Sequence, residues 1–528
     1  MARLSERQAV GAAGGKTARP GDCPVVGGLL ASPLRGEPAL GSQLGSPGGT
    51  SLGQGHGRSP QPGRAVWGLL LGLCSMASAA HADPSLLQVL SGPGLRGAAV
   101  SVLVVDRRSG EELFARYPDR RLVPASNQKL LTATAALASF GPTHRFVTEV
   151  GASAAPDAEG RVSRLSVRGG GDPSLTSEQW WRLAADLRAL GLREVSDLLT
   201  VEDRIFDDER WHPSWQPVTA RAYHAPVGAL TANYGTFRVR VAPGAGVGAP
   251  AQVTIDPPIP YLALVPRAMT GAPGSRASLR VDRLAVGATE QVQVAGSIPV
   301  EGKARDIYRS VAHPTRYAAA VLRQQLEANG IRVLGATRRA PMPAEGVPLL
   351  SFEGYELARV VALFMKNSNN MIGEALIKAM GRGANGTPGS WPRGLAALRR
   401  ILGERGVDLA EARLADGSGL SRENRVSARM LVEVLRVADR SFELAPELLA
   451  SLPIAGRDGT LEKRAEAARD RVRAKTGLLT GVTGLSGFAR TAEGRDVVFS
   501  LLANGYRAGD RAAMRQVDRF VAALIGQP

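Results

Sequence analysis

The chain has 528 residues, 65 basic and 48 acidic side chains, a formal charge of +17 and a hydrophobic fraction of 44%. That length allows two to four domains with a large core, and no stretch after residue 83 is apolar for long enough to span a membrane. Both cysteines, Cys23 and Cys74, precede residue 83, which excludes disulfides and thiolate metal sites from there on.

Residues 1–63 are rich in Gly, Pro and Ser without periodicity and are expected to be disordered, or to precede the true translation start. Arg64 and the apolar run Ala65 to Leu73 follow, and then Ser78-Ala79-Ala80-His81-Ala82 stands before Asp83. Residues 64–82 therefore read as a secretory signal cleaved after Ala82, with the periplasm as the expected location. Cys74 follows Leu73 rather than a small residue, which argues against a lipoprotein anchor. Residues 1–82 hold seven basic and three acidic residues, so the mature chain carries +13. Such a surface suits an anionic wall or membrane face as well as nucleic acid. Secretion makes nucleic acid an unexpected partner, and membrane association is expected to be peripheral at most.

Residues 98–106 and 111–117 alternate around a turn and predict a hairpin. It leads to Pro124-Ala125, then Ser126-Asn127-Gln128-Lys129, then the apolar positions Leu130, Leu131, Ala133, Ala135, Ala136 and Leu137 before Gly141. This predicts a buried helix that starts at Ser126 and ends at the glycine. Ser126 and Lys129 would share one face at the positive end of the helix dipole. A serine there becomes a nucleophile if an uncharged lysine takes its proton. The chain holds only seven lysines against 58 arginines. A retained lysine offers a compact amine whose pKa can be lowered, which a guanidinium cannot. The plainer reading is a serine N-cap followed by a solvated lysine.

From residue 145 the pattern changes. Residues 145–175 read as strands, 177–190 as an amphipathic helix and 197–206 as a strand. Residues 236–299 are short alternating segments broken by Gly and Pro, and helical spacing returns at 315–329. An inserted α+β domain over 145–235 and an all-β domain over 236–309 are expected. Residues 83–144 and 310–528 together would form the catalytic domain.

Ser368-Asn369-Asn370 lies between helical patterns at 355–365 and 371–380, where a tight turn would project a hydroxyl and an amide into a cleft. Such groups could relay a proton and hold a substrate amide; by itself the string is an ordinary Asn-rich turn. Lys475-Thr476-Gly477 follows the alternating Arg471 to Ala474, which reads as an edge strand. Two further strands, 485–491 and 496–504, flank a turn at 492–494, and a final helix covers 510–525. An edge strand beside a serine can align an extended peptide. Gly477 would let that peptide come close, the Leu478 N–H would be a second oxyanion donor after Ser126 N–H, and Lys475 and Thr476 could grip a carboxylate. The bland alternative is a basic edge that blocks aggregation.

The three strings, Ser-x-x-Lys, Ser-x-Asn and Lys-Thr-Gly in this order, are those of the penicillin-binding proteins and serine β-lactamases. Ser126 and Ser368 are 242 residues apart, which requires a large insertion. The chain resembles the class C, low-molecular-mass penicillin-binding proteins, the D-alanyl-D-alanine carboxypeptidase/endopeptidases of the peptidase S13 type. Gly169-Gly170-Gly171-Asp172-Pro173, Glu374 after Ser368-Asn369-Asn370-Met371, and Asp416-Gly417-Ser418-Gly419-Leu420-Ser421 fit that resemblance. It covers residue 83 to the C-terminus. The fold it implies is α+β, a serine β-lactamase/transpeptidase-like antiparallel sheet with flanking helices, interrupted by the insertion.

The resemblance also implies that Ser126 attacks a D-Ala-D-Ala carbonyl with neutral Lys129 as base. Ser368 would pass the proton to the leaving amine, Asn370 would hold a substrate amide and the Lys129 side chain, and Lys475 and Thr476 would bind the terminal carboxylate. Peptidoglycan stem peptides and β-lactams are the implied partners, with no metal or cofactor. A wall-binding scaffold without turnover, or a β-lactamase-like hydrolase, are the alternatives. The family's inserted domain carries acids near a Trp-rich stretch, one of them thought to meet the amine of the stem-peptide side chain; here no acid lies between Trp211 and Ala225. Competing motifs fail. Gly15-Lys16-Thr17 lacks the first glycine of a phosphate loop, no His-Glu-x-x-His occurs, and the Gly169 triplet leads into Asp172-Pro173, a turn.

Overall fold

The computed structural model describes residues 84–526 except residue 384; the expectations for the leader, the signal and its cleavage lie outside them. At the centre is a five-stranded antiparallel sheet in the order Val472–Leu479, Val482–Arg490, Asp496–Asn504, Ala99–Asp106 and Glu112–Arg116. Ala99–Asp106 pairs with Asp496–Asn504 along its whole length, from Ala99↔Asn504 to Asp106↔Val497. The two ends of the chain thus close one sheet.

Alternating side chains on these strands feed two cores. Leu103, Val105, Phe488, Val498 and Leu502 face the helices Lys129–Phe140, Leu357–Asn367, Asn370–Met380 and Ala428–Arg440. Val102, Val104, Leu485, Phe499 and Leu501 face the final helix, Asp510–Leu524, through Val517, Phe520 and Val521. With both faces covered, Val482–Arg490 is buried in all but its last residue. Lys129–Phe140 is buried through its first nine residues, which explains an apolar run with little sidedness: it passes through the middle of a core.

The insertion is built on a six-stranded sheet. Its path runs Arg332–Val333, Glu194–Glu202, Arg161–Arg168, Arg145–Ala152 and Val347–Glu356, with Ala336–Arg339 also on Glu194–Glu202. The helices Ser177–Ala189 and Pro314–Ala328 pack on it through Trp180, Leu183, Tyr317 and Leu322. Between residues 236 and 310 lie only β-strands, in small sheets that share this core. One boundary differs from the sequence reading. Pro314–Ala328 is a helix packed on the inserted sheet and residues 332–356 add strands to it, so the chain returns to the catalytic layer at Leu357 and not at residue 310. The cause is strand pairing at long range: Val347–Glu356 is partnered by Arg145–Ala152, about two hundred residues earlier.

Candidate active site

Ser126 does not begin an α-helix. Ala125–Gln128 is a 3-10 turn, and the α-helix starts at Lys129. The amide of Asn127 donates to Pro124 O at 3.1 Å and ties the turn down, a local bond that competes with α-helix formation. In 3-10 geometry residues i and i+3 eclipse, which brings Lys129 directly against Ser126. Ser126 is partly exposed while Lys129 is fully buried.

Lys129 Nζ lies 3.0 Å from Ser126 Oγ, 2.7 Å from Asn370 Oδ1 and 2.7 Å from Ser418 O. Two of these neighbours, a carbonyl and an amide oxygen, can only accept. A neutral amine has two hydrogens for them and one lone pair left, which faces the serine hydroxyl. Burial pushes the Lys129 pKa down to about 7, against the pull of the Asp416 and Glu374 carboxylates. Near neutral pH the amine is therefore substantially unprotonated.

Ser368 ends the helix Leu357–Asn367 in a left-handed conformation, φ +55°. Asn369 then caps Asn370–Met380 by accepting from Ile372 N at 3.1 Å. This abrupt change of direction points Ser368 and Asn370 to different partners. Asn370 reaches Lys129, and its amide donates to Tyr223 O at 2.9 Å. Ser368 Oγ accepts from Lys475 Nζ at 2.9 Å, and the same ammonium donates to Thr476 O at 2.9 Å. Burial first, and the Lys129 charge second, drive the Lys475 pKa well below the ordinary lysine value. A carboxylate arriving at Lys475 would reverse that shift.

Lys475, Thr476, Gly477 and Leu478 lie within the edge strand Val472–Leu479 rather than after it. Gly477 sits against the serine turn. A Cβ there would come within 2.4 Å of Asn127 Nδ2 and 2.7 Å of Pro124 O, so only glycine permits this approach. Ala474 N donates outward to Pro453 O at 2.9 Å. By strand alternation the N–H groups of Thr476 and Leu478 point to the same outer edge. The Thr476 hydroxyl donates to Thr460 Oγ1 at 2.7 Å.

Of the eight residues singled out in the sequence, seven are brought together in two neighbouring clusters, and Leu478 follows them in the same strand. The first is Ser126, Lys129 and Asn370; the second is Ser368, Lys475 and Thr476, with Gly477 joining them. Sequence reasoning gave no role to Ser418, Thr460 or Tyr223. Two of these act through backbone oxygens, which leave no signature in residue type. The Asp416-Gly417-Ser418-Gly419 string was the available pointer to the first.

The insertion supplies one wall. Trp215 Nε1 donates to Asp416 Oδ2 at 2.8 Å, Ser214 Oγ to Ser421 Oγ at 2.7 Å, and Trp211 Nε1 to His224 O at 2.7 Å. Of the three acids just before Trp211, Asp207, Asp208 and Glu209, the first two are held in ion pairs. Asp207 pairs with Lys378, and Asp208 with Arg210 and Arg339.

A family model described as the D-Ala-D-Ala carboxypeptidase 3 (S13) family matches residues 83–524. A D-alanyl-D-alanine carboxypeptidase of Actinomadura sp. is 39% identical over 435 residues, 79% of this chain and 80% of that one. The D-alanyl-D-alanine carboxypeptidase DacB of Haemophilus influenzae is 28% identical over 410 residues, 75% of this chain and 85% of that one. The crystal structure of penicillin binding protein 4 (dacB) from Haemophilus influenzae superposes with a TM-score of 0.72 at 25% identity, covering 84% of this chain and 99% of that one. The same protein complexed with a novel β-lactam gives a TM-score of 0.67, also at 25% identity, over 84% and 98%.

Proposed function

The chain belongs to the D-Ala-D-Ala carboxypeptidase 3 (S13) family, and on that premise we propose that it hydrolyses the terminal D-Ala-D-Ala bond of peptidoglycan stem peptides through an acyl-enzyme on Ser126. The observation that carries this reading is the environment of Lys129 Nζ: two oxygens that only accept, one serine hydroxyl, and complete burial.

The peptide adds to the outer edge of Val472–Leu479, and its terminal carboxylate meets Lys475 and Thr476. Ser126 Oγ attacks the carbonyl of the penultimate residue while Lys129 takes the hydroxyl proton. The Ser126 and Leu478 N–H groups receive the developing oxyanion. The proton then passes by way of Ser368 to the leaving D-alanine amine. Water enters, Lys129 again accepts a proton, and the ester is cleaved. Asn370 holds Lys129 and a substrate amide. β-Lactams would acylate Ser126 in the same way, as bicyclic amides that offer a carboxylate to Lys475.

The same cleft would accept a cross-link in place of the terminal residue, which makes endopeptidase action a second outcome of the same chemistry. The signal-like residues 64–82 and the wall substrate of the family support a periplasmic enzyme, with at most peripheral membrane contact and no nucleic-acid partner. Incubation with purified muropeptides and mass analysis tests the reading. Loss of one D-alanine is expected; loss of cross-links would shift the reading to an endopeptidase, and unchanged muropeptides would overturn it. In the same assay and with fluorescent penicillin, Ser126→Ala is expected to show neither turnover nor label.

A further inference from the structure

Glu374 and the loop Asp416 to Gly419 have no part in the steps above, yet they stand directly behind Lys129. Glu374 is fully buried in the helix Asn370–Met380. Its carboxylate accepts from Gly417 N at 2.9 Å, Ser418 N at 2.7 Å and Trp391 Nε1 at 2.7 Å. The carbonyls of those two loop residues turn the other way. Gly417 O accepts from Thr132 Oγ1 and Ser418 O from Lys129 Nζ, both at 2.7 Å. Glu374 is four residues after Asn370, one turn along the same face. One helix thus provides both acceptors of the lysine amine, Asn370 directly and Ser418 through the loop that Glu374 grips.

We propose that Glu374 is a positioning residue for acylation: by holding Gly417 and Ser418 N–H it aims the Ser418 carbonyl at Lys129 and so fixes the amine's lone pair on Ser126. The inference rests on Lys129 being the base. A neutral amine left with one fixed acceptor would rotate, and its lone pair would leave the serine. Misplacement of this kind costs about a hundredfold in rate.

Glu374 also contributes charge. The charged groups facing Lys129 are Glu374 from its helix, Asp416 from the loop and Lys475 from the edge strand; Ser126, Asn370, Ser418 O and the Phe364 ring at 5.8 Å complete the surroundings. Burial and the Asp416 charge push the Glu374 pKa up to about 7, while the loop N–H groups and Trp391 hold it back. Glu374→Gln removes a negative charge, so the lysine should lose its proton at lower pH. It also sets an NH2 group against a loop N–H. Glu374→Asp keeps the charge but is one methylene too short to hold both N–H groups.

The test is the rate of acylation by fluorescent penicillin against pH, on the full chain. For Glu374→Gln the plateau is expected to fall about a hundredfold and the rising limb to move down by on the order of one pH unit. For Glu374→Asp the plateau falls and the limb stays. Trp391→Phe, which keeps both loop bonds and removes one donor to the carboxylate, is the packing control and should leave the plateau near its wild-type height. If Glu374→Gln does not fold, Glu374→Asp decides. Folded variants with wild-type plateau and limb would overturn the inference, even with a lowered melting temperature. A wild-type rate without any limb near neutrality would instead overturn the base assignment on which it rests.

Discussion

Lys129 is in a place where arginine could supply a charge but could not do the chemistry. Its Nζ has two oxygen acceptors besides Ser126 Oγ, and burial brings its pKa to about 7. A guanidinium stays protonated there and offers no lone pair. Lys129→Arg is therefore expected to lose nearly as much acylation as Ser126→Ala in stopped-flow measurements with a β-lactam; substantial turnover by the variant would remove the general-base role. In the wild type the rate should rise with pH through about 7, because the active form is the one that has lost its proton. A rate flat from pH 5 to 9 would contradict this. The scarcity of lysine and the Ser-x-x-Lys spacing made this pair legible, and the spacing survives the change from α to 3-10 because residues three apart meet in both. The Ser418 carbonyl and the Tyr223 carbonyl were not legible. They are backbone atoms, brought to the site by contacts across hundreds of residues.

The strand Val472–Leu479 and the turn Ala125–Gln128 meet where Gly477 leaves no room for a side chain. Gly477→Ala would press a Cβ to 2.4 Å from Asn127 Nδ2 and 2.7 Å from a backbone oxygen at Pro124. The turn cannot retreat without carrying Ser126 with it. Acylation is expected to fall about a hundredfold, with stability lowered by about 1–3 kcal/mol; rates and chemical denaturation on one preparation check both. An unchanged rate would mean that the strand does not set the serine's position. The alternating pattern before Lys475 announced an edge strand. It did not reveal that the strand continues through the motif, because Lys475 and Gly477 are weak strand formers whose conformation is set by pairing with Val482–Arg490.

Across the whole molecule, the insertion is fastened to the catalytic layer by buried polar bonds rather than by a linker. Trp215→Phe removes the indole donor to Asp416 Oδ2. Asp416 Oδ2 keeps its other donor, Ser421 N at 2.6 Å, so the loss is that of one hydrogen bond to a carboxylate, about 1.5–3 kcal/mol. It is measurable as a lower urea midpoint, and no change would mean that this wall is not anchored there. A second global property follows from the buried lysines. Folded Lys129 titrates at about 7 against an ordinary 10.5, and the pKa values of Lys378 and Lys475 are also lowered. Between about 7 and 10.5 Lys129 binds more protons in the unfolded chain than in the folded one, so its contribution to stability rises with pH across that window. Near 10 the buried tyrosines, whose pKa values are raised, begin to act in the opposite sense. Lys129→Met should flatten the rise, and a midpoint that falls from pH 7 to 10 would contradict the lysine environments described. The segment boundaries at this scale were only partly readable. Periodicity identified helix 315–329 and the β-rich stretch before it, but not the sheet that residues 332–356 join, because pairing partners so distant leave no local pattern.

The account depends on Ser126 being the atom that is acylated, and one measurement addresses it directly. Trypsin should release Leu122 to Lys129 as a single peptide in which Ser126 is the only hydroxyl-bearing residue. After incubation with penicillin, peptide mass mapping should place the penicilloyl adduct on that peptide and on no other. An adduct on a different peptide, or an unmodified folded protein, would contradict it.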